Sequence, residues 1–265
     1  MKEKLKTLDS LEVLSFENQK AKYPSHFHET YCISLVEKGV LLENELIVSE
    51  DKILISHPGE VHHNISLENI SFSTFYVSQD VIDFISPFGR TSFQNKVIEN
   101  PLLFNRLNNL LHSIKEKKDE KTFINDLNNA FNQIIFQLII NYGSVNPYSY
   151  ESKSTIIIDL KTYMSENLNL KLSLFELARM SGMSKFQFIR WFKSNVGMTP
   201  FEYILLKRVE YGRTLIKQGF PLVEVALDSG FYDQSNFSNY FKKYIGISPR
   251  MYQQSCNIFQ DCNQQ

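Results

Sequence analysis

FKSNVGMTPFEY, residues 192–203, is repeated 49 residues later as FKKYIGISPRMY, residues 241–252. The identical positions are Phe192 with Phe241, Lys193 with Lys242, Gly197 with Gly246, Pro200 with Pro249 and Tyr203 with Tyr252. Upstream, at an offset of 48, the matching pairs are Glu176 with Glu224, Ala178 with Ala226, Ser181 with Ser229 and Gly182 with Gly230. Such a repeat indicates one supersecondary unit used twice, and two copies are too few for a solenoid, which needs about three or more.

Each copy predicts a short helix, a turn that contains glycine, and a second helix. The four predicted helices lie in LSLFELARM (172–180), SKFQFIRWFKSN (184–195), LVEVALDSG (222–230) and DQSNFSNYFKKY (233–244). Ser184 and Asp233 are the expected N-caps of the two second helices. This is the helix-turn-helix arrangement, whose second helix can lie in the major groove of DNA.

Helical spacing gives each second helix an inward and an outward face. The expected inward residues are Phe188, Trp191, Phe192, Phe237, Tyr240 and Phe241. The expected outward residues are Phe186, Ile189, Arg190, Lys193, Ser235, Ser238, Asn239 and Lys242. In a groove Arg190 can pair with guanine and Asn239 with adenine, whereas Lys193 and Lys242 are better placed for phosphates. The alternative for each outward residue is a solvated surface.

The segment between the copies, PFEYILLKRVEYGRTLIKQG (200–219), predicts a single helix opened by Pro200. Its length of about 30 Å, at about 1.5 Å per residue, is close to the ~34 Å between successive major-groove faces. The repeat therefore predicts one chain that reads two adjacent major grooves from one side of the duplex.

These residues also carry a resemblance to a known family. Residues 171–252 resemble the DNA-binding domain of AraC/XylS-type transcriptional regulators, through L-x-x-L-A…S-G-x-S at 174–184, R-x-F-K…G-x-T-P at 190–200, A…G-F…D-Q-S-x-F-S at 226–238 and F-K-K…G-x-S-P…Y at 241–252. The resemblance implies base-reading positions at Phe186, Ile189, Arg190, Gln234, Ser235, Ser238 and Asn239. Many members have Arg where this chain has Asn239, and a polar side chain where it has Ile189, so the target sequence does not transfer from relatives.

With the caps and lysines added, twelve residues are expected to contact DNA. They are Ser184, Lys185, Phe186, Ile189, Arg190, Lys193, Asp233, Gln234, Ser235, Ser238, Asn239 and Lys242.

Charge is divided unevenly along the 265 residues, a length that fits one large or two ordinary domains. Residues 1–150 carry 14 Lys+Arg and 19 Asp+Glu, a net charge of −5, whereas residues 151–265 carry 14 and 10, a net charge of +4. This asymmetry suggests that the second half meets a polyanion.

No signal peptide and no run of ~18 apolar residues is found, which favours a cytoplasmic protein without membrane contact. Cys32, Cys256 and Cys262 lack metal-ligand spacing and are expected to be thiols.

The two halves also differ in their predicted elements, so the expected fold class is α+β with two domains. Short β-rich segments between residues 11 and 78 predict a small barrel or sandwich. Helices are expected at 97–114 and 123–141, and further helices from residue 155 onward. The predicted domains are therefore 1–145, a linker at 146–154, the DNA-binding domain at 155–255 and a disordered tail at 256–265.

HFHETYCISLVEKG (26–39) and HPGEVHHN (57–64) look like the paired motifs of a cupin barrel, similar to the sensory domain of AraC-type regulators. Metal-binding cupins hold their ion with an H-x-H pair, a Glu a few residues on and a later His. His26, His28 and His62 match and could hold zinc, nickel or iron, but Glu29 follows His28 directly and is expected on the opposite face.

The favoured expectation is therefore no metal and no other cofactor. The expected small-molecule pocket is lined by His26, His28, Tyr31, His62, Phe72 and Tyr76, and three neutral imidazoles holding a metal are the alternative.

The family resemblance implies a ligand-responsive regulator, more often an activator than a repressor, that contacts RNA polymerase and forms a homodimer. The apolar stripes of the helices at 97–114 and 123–141 provide the candidate dimer surface, unless they pack entirely within the chain. Two alternatives are a metal-dependent cupin enzyme with a DNA-binding appendage, and an architectural DNA binder whose first half only dimerises. The missing carboxylate argues against an enzyme.

Overall fold

The computed structural model describes residues 4–8, 11–115, 121–145 and 155–260. The chain forms two compact units whose main segments are residues 27–147 and 148–257. We refer to the first as the barrel domain and the second as the helical domain. The expected linker at 146–154 and the last five residues of the expected tail lie outside the described residues.

The barrel domain consists of short antiparallel strands followed by three helices. Its strands are β1 (Lys4–Leu8), β2 (Leu11–Gln19), β3 (Lys22–His26), β4 (Tyr31–Lys38), β5 (Val40–Glu43), β6 (Leu46–Ser49), β7 (Lys52–Ser56), β8 (His62–Ile65), β9 (Ile70–Val77), β10 (Thr91–Phe93), β11 (Val97–Ile98) and β12 (Gly143–Val145). Its helices are α1 (Gln79–Ile85), α2 (Pro101–Lys115) and α3 (Lys121–Tyr142). The larger sheet has the order β1-β2-β9-β4-β7-β11, the smaller has the order β3-β8-β5-β6, and β10 pairs with β12.

Strand β4 lies in the middle of the larger sheet and shows how its two faces differ. Ser34 pairs with Thr74 of β9 on one side and with Leu54 of β7 on the other. Because side chains alternate along a strand, Tyr31, Ile33 and Leu35 face one way and the residues between them face the other. The first face joins the apolar core formed with α2 and α3. The second face looks into the barrel interior, towards the smaller sheet.

The apolar stripes of α2 and α3 are used inside the chain. Leu103, Leu107, Leu110, Leu111, Ile114, Phe131, Ile134, Ile135 and Leu138 are all buried in the core beneath the larger sheet. These residues therefore pack within the chain, which was the alternative to a dimer surface. Larger side chains that stay partly exposed on α3 are Phe136 and Ile140, at 45% and 46%.

The helical domain contains seven helices within its described residues. They are α4 (Thr155–Glu166), α5 (Leu174–Met180), α6 (Lys185–Val196), α7 (Pro200–Lys217), α8 (Leu222–Asp228), α9 (Gln234–Ile245) and α10 (Pro249–Gln260). Helix α10 extends five residues beyond the boundary at residue 255 that the sequence pattern suggested. In the described part of the chain, no helix combines the length and apolar character needed to cross a membrane.

The repeated phrase encodes one helix end and the next helix start. Gly197 and Gly246 end α6 and α9 with φ of 87° and 94°, in the left-handed region that glycine adopts without strain. Two residues later Thr199 caps α7, and its backbone N–H in turn donates to the Glu202 carboxylate. In the second copy Ser248 Oγ accepts a hydrogen bond from the backbone N–H of Met251.

The first and last aromatic positions of the phrase meet in the core. Phe192 packs edge-on against Tyr203 with ring centroids 5.8 Å apart, and Phe241 packs against Tyr252 in the same way at 5.4 Å. Edge-to-face pairs at this separation are favourable for aromatic rings. Each copy therefore ties the second helix of its helix-turn-helix to the helix that follows.

Candidate nucleic-acid interface and barrel pocket

Helix α6 turns an aromatic face inward and a mixed face outward, as the spacing predicted. Phe188 and Phe192 are completely buried, whereas Trp191 is half-buried. On the outer face Phe186 is 76% exposed. The other predicted contacts on this helix are Lys185, Arg190 and Lys193, which are exposed, and Ile189, which is half-buried.

Helix α9 repeats this division one unit later. Phe237 and Phe241 are completely buried. The predicted contacts on its outer face are Gln234, Ser235, Asn239 and Lys242, which are exposed, and Ser238, which is half-buried. Both second helices therefore present their predicted side chains at the surface.

The structure gives Ser184 and Asp233 a capping role. Ser184 Oγ accepts from the backbone N–H of Gln187 at 3.4 Å, and the Ser184 N–H donates to Gln187 Oε1 at 3.1 Å. Asp233 Oδ1 accepts from the backbone N–H of Asn236 at 2.7 Å. Since side-chain caps fix where a helix begins, these residues position α6 and α9.

Two arginines of the helical domain serve internal contacts. The half-buried Arg208 donates to the backbone oxygens of Leu168 and Leu170 at 2.8 Å each, and burial lowers the pKa of its guanidinium. Arg213 donates to the Tyr252 hydroxyl at 3.0 Å and pairs with Glu210 at 3.2 Å. Arg208 joins α7 to the chain segment after α4, and Arg213 joins α7 to α10, so neither arginine is part of the outer faces of α6 and α9.

Sequence reasoning missed two exposed side chains, one shortly before α9 and one on α9. Tyr232 directly precedes the cap Asp233 and is 90% exposed, which is unusual for a large aromatic side chain. Lys243 is exposed and its Nζ lies 5.9 Å from the centre of the Tyr240 ring. Both were visible in the sequence: Tyr232 is an aromatic residue in the turn, and Lys243 is a second lysine beside Lys242.

In the barrel domain, the three predicted pocket histidines come together. Ligand atoms of His26, His28 and His62 all lie within 4.8 Å of one another, and all three residues are buried. The rings of His28 and His62 are 5.5 Å apart, and Tyr76 lies edge-on to His28 at 5.2 Å. Burial lowers the pKa of the His62 imidazole, although the nearby Glu43 carboxylate acts in the opposite direction.

Phe72 lines the same interior farther along β9. It stacks on Phe16 of β2 with ring centroids 4.8 Å apart. Phe72 and Tyr76 are four residues apart on β9, so both side chains point to the same face of the sheet. The barrel interior thus has a histidine-rich end and an apolar end.

Tyr31 does not join this pocket, and its predicted position was wrong. Its hydroxyl donates to the Thr91 backbone oxygen at 2.6 Å, and its ring packs edge-on against His57 and Phe93. The reason is the alternation of β4, which sends Tyr31 into the core under the helices. Burial raises the pKa of the Tyr31 hydroxyl to about 12.

Sequence reasoning also missed the carboxylate that the pocket contains. Glu43 of β5 is only 2% exposed, and its Oε2 lies 4.0 Å from His62 Nε2. Ser56 Oγ lies 3.0 Å from both carboxylate oxygens, and Asn64 Nδ2 donates to Oε2 at 3.0 Å. Leu41, two residues earlier on the same strand, faces the same way, but Val40 and Leu42 are also apolar, so the sequence of β5 did not mark this face.

Comparison with known proteins agrees with both halves of this description. A family model described as an AraC-like ligand binding domain matches residues 10–128, and one described as a helix-turn-helix domain matches residues 177–255. The probable transcriptional regulator LumQ of Photobacterium leiognathi is 29% identical over 234 residues, covering 86% of this chain and 91% of its own. The transcriptional activator AarP of Providencia stuartii is 35% identical over 121 residues, covering 43% of this chain and 90% of its own.

Among solved structures, apo ToxT from Vibrio cholerae has a TM-score of 0.61 at 14% identity, covering 95% of this chain and 99% of that one. A second ToxT structure, described as bound to an unsaturated fatty acid, has a TM-score of 0.52 at 16% identity and covers 92% and 94%. At this identity the likeness concerns the fold.

A ligand-binding barrel followed by two helix-turn-helix units defines a DNA-binding transcriptional regulator. The chain belongs to the AraC-type family of these regulators.

Proposed function

We propose that this regulator is a ligand-responsive activator that binds double-stranded DNA through both helix-turn-helix units at once. The observation that carries the proposal is the pair of exposed faces on α6 and α9, which equivalent caps and aromatic cores position. One helix connects the two helix-turn-helix units that contain them. That connecting helix, α7, has 18 residues and is about 27 Å long. A connector of this length matches readers placed in successive major grooves, which are ~34 Å apart.

The outer faces supply two kinds of contact. Phe186, Ile189 and Arg190 on α6 are proposed to reach base edges, with Ile189 and Phe186 suited to thymine methyl groups. On α9 the proposed base contacts are Gln234, Ser235, Ser238 and Asn239. Lys185, Lys193 and Lys242 are proposed to contact phosphates, which fix register without reading sequence. Ser184 and Asp233 act through their capping of the two helices.

The binding mode is tested by selecting fragments of genomic DNA with the full-length protein, at several salt concentrations. We expect enrichment of a bipartite site whose halves lie about one helical turn apart. Weak binding without sequence preference, lost steeply as salt rises, would favour the architectural alternative.

Arg190→Ala is expected to weaken binding to the selected site by about 1–3 kcal/mol and to relax the preference at one base pair, because the guanidinium forms two hydrogen bonds with guanine. Binding is measured by fluorescence anisotropy on the selected site and on single-base variants of it. Arg90→Ala, which removes an exposed arginine of the barrel domain, is the control for lost charge. Equal losses on every DNA sequence would show that Arg190 contacts only phosphate.

Lys242→Ala is expected to weaken binding to all DNA sequences alike and to lower the slope of log affinity against log salt by about one. The reason is that one phosphate contact releases about one counterion. Titrations over a range of salt concentrations measure the slope, and Lys38→Ala in the barrel domain, an exposed lysine at the end of β4, serves as the control. An unchanged slope would contradict the phosphate contact.

We further propose that the barrel interior binds the effector and that binding shifts the population of chains able to bind DNA or contact RNA polymerase. His26, His28, His62 and Tyr76 supply polar groups at one end, and Phe72 with Phe16 supplies apolar surface at the other. A site with these properties suits a small ligand. We therefore propose that the protein regulates transcription and does not catalyse a reaction.

A homodimer is proposed through the outer face of α3, where Phe136 and Ile140 lie one helical turn apart and remain exposed. Sedimentation of the full chain and of a Phe136→Glu variant tests this: the variant is expected to be the lighter species. As a partner of DNA and RNA polymerase, the protein is proposed to act in the cytoplasm.

A further inference from the structure

We infer that His26, His28, His62 and Glu43 form a binding site for one divalent transition-metal cation inside the barrel. The inference names a ligand class for the pocket described above, and it rests on the proposed function only in treating this barrel as a ligand-binding domain.

Two of the imidazoles are held in the tautomer that binds a metal through Nε2. His26 Nδ1 lies 2.7 Å from the Pro24 backbone oxygen, and His62 Nδ1 lies 3.0 Å from the Glu60 backbone oxygen. A carbonyl oxygen only accepts, so each Nδ1 carries the proton and donates it. The lone pair is then on Nε2 in both rings. A backbone carbonyl bound to the far nitrogen is the usual second-shell arrangement of metal-binding histidines.

Glu43 adds an oxygen donor next to His62, outside the cluster that the three histidines form. Its Oε2 lies 4.0 Å from His62 Nε2. The Ser56 hydroxyl and the Asn64 amide hold the carboxylate in position at 3.0 Å. These donors leave lone pairs on the carboxylate, whose two oxygens can accept about four hydrogen bonds or metal contacts.

The spacing of the donors is close to that of a coordinated ion. Two ligands on a tetrahedral ion with metal–nitrogen bonds of ~2.05 Å are about 3.4 Å apart. The histidine ligand atoms already lie within 4.8 Å of one another. Shifts of the imidazoles by about 1 Å would bring the three nitrogens to this spacing, and a rotation of the Glu43 side chain is needed to bring its carboxylate to the same ion. Three imidazoles and one carboxylate suit Zn²⁺, Fe²⁺, Co²⁺ or Ni²⁺ better than Mg²⁺ or Ca²⁺, which prefer oxygen ligands throughout.

The charge of the interior also favours a cation. Among the described residues of the barrel domain, the buried carboxylate and imidazole side chains are Glu12, Glu43 and the three histidines, and no Lys or Arg is buried. A negatively charged ligand would meet Glu43 without a compensating cation, whereas a divalent cation is stabilised by that carboxylate. Burial of all four donors, each at most 7% exposed, strengthens the attraction because little water screens it.

The direct test is metal binding by the full-length protein after treatment with EDTA and removal of the chelator. Titration with Co²⁺ is expected to reach saturation at one equivalent per chain, with visible absorption bands that report the coordination. Zn²⁺ is expected to displace the Co²⁺ and to raise the melting temperature. No saturable binding near one equivalent would overturn the inference.

Matched variants identify the site. His62→Ala and Glu43→Gln are expected to lower Zn²⁺ affinity at least 100-fold, measured by competition with a chromophoric chelator. Ser56→Ala, which removes a hydrogen bond to Glu43, is expected to lower it about 10–100-fold. The control is His63→Ala on the same strand, whose side chain alternates to the other face and which should change affinity less than threefold.

Each metal-free variant is compared with the parent by circular dichroism, and if His62→Ala does not fold, Glu43→Gln and Ser56→Ala decide the test. Equal affinities for His62→Ala and His63→Ala would overturn the inference. DNA binding is measured in parallel with and without Zn²⁺. Loss of the metal site with intact recognition of the bipartite DNA site would leave the proposed function standing. Metal binding by a protein that fails to recognise DNA would retain the metal site and reject the proposed function.

Discussion

Replacing Gly230 with alanine is expected to lower the free energy of unfolding of the helical domain by about 3–5 kcal/mol. Gly230 has φ of +82°, and a Cβ there would lie 2.2 Å from the Leu168 backbone oxygen and 2.9 Å from Arg208 Nε. The left-handed conformation alone costs an alanine about 1–2 kcal/mol. Overpacking adds about 1–3 kcal/mol, and the displaced groups include the 2.8 Å hydrogen bond from Arg208 to Leu168.

The repeat supplies the matched control for this substitution. Gly182 is the equivalent residue of the first helix-turn-helix and has φ of +67°, but a Cβ there would meet nothing within 4 Å. Gly182→Ala is therefore expected to cost only the conformational strain, about 1–2 kcal/mol. Denaturant unfolding of both full-length variants, followed by far-UV circular dichroism, measures the difference. Equal losses of stability would show that the contact with Leu168 is not what requires glycine at residue 230.

Replacing Phe192 with alanine is the second change with a large expected effect, a loss of about 3–5 kcal/mol in the stability of the helical domain. Phe192 is completely buried between Phe188 and Tyr203, with ring centroids 5.7 Å and 5.8 Å away. Truncation of such a side chain removes its transfer free energy and leaves a cavity. The same denaturation experiment measures the loss.

Phe186 lies on the same helix, and its replacement is expected to affect DNA binding more than stability. Its side chain is 76% exposed, so Phe186→Ala is expected to change stability by less than about 0.5 kcal/mol. If Phe186 reaches a base edge, the same substitution weakens binding to the selected DNA site by about 1 kcal/mol, the lower end of the value of a base contact. A Phe186→Ala protein that loses stability but keeps its DNA affinity would reverse the assignment of the two faces.

The two copies of the helix-turn-helix therefore share a sequence pattern but differ in how closely their turn glycines are packed. Gly182 lies at an open turn, whereas Gly230 lies against the chain segment after α4 and against α7. Gly212 shows a similar constraint within α7, because a Cβ there would lie 2.6 Å from the Phe237 ring. The second unit is thus held more closely to the connecting helix than the repeat alone indicates.

Much of the helical domain could be predicted from the sequence. Helix ends, caps and faces depend on residues three or four positions apart, so the repeated phrase, Ser184, Asp233 and the buried pair Phe188 and Phe192 could be placed from spacing alone. The resemblance to AraC-type regulators rested on the same residues, and the family comparison confirmed it.

The barrel pocket could not be predicted in the same way, because its residues come together only in the folded chain. Strand β4 is buried on both faces, so its pattern did not show that Tyr31 turns into the core under the helices. Glu43 reaches the histidines because β5 pairs with β8 in the smaller sheet, where Glu43 lies opposite Asn64, 21 residues later in the chain. Pairing between distant strands leaves no local period in the sequence, and for that physical reason the carboxylate beside the histidines became visible only in the fold.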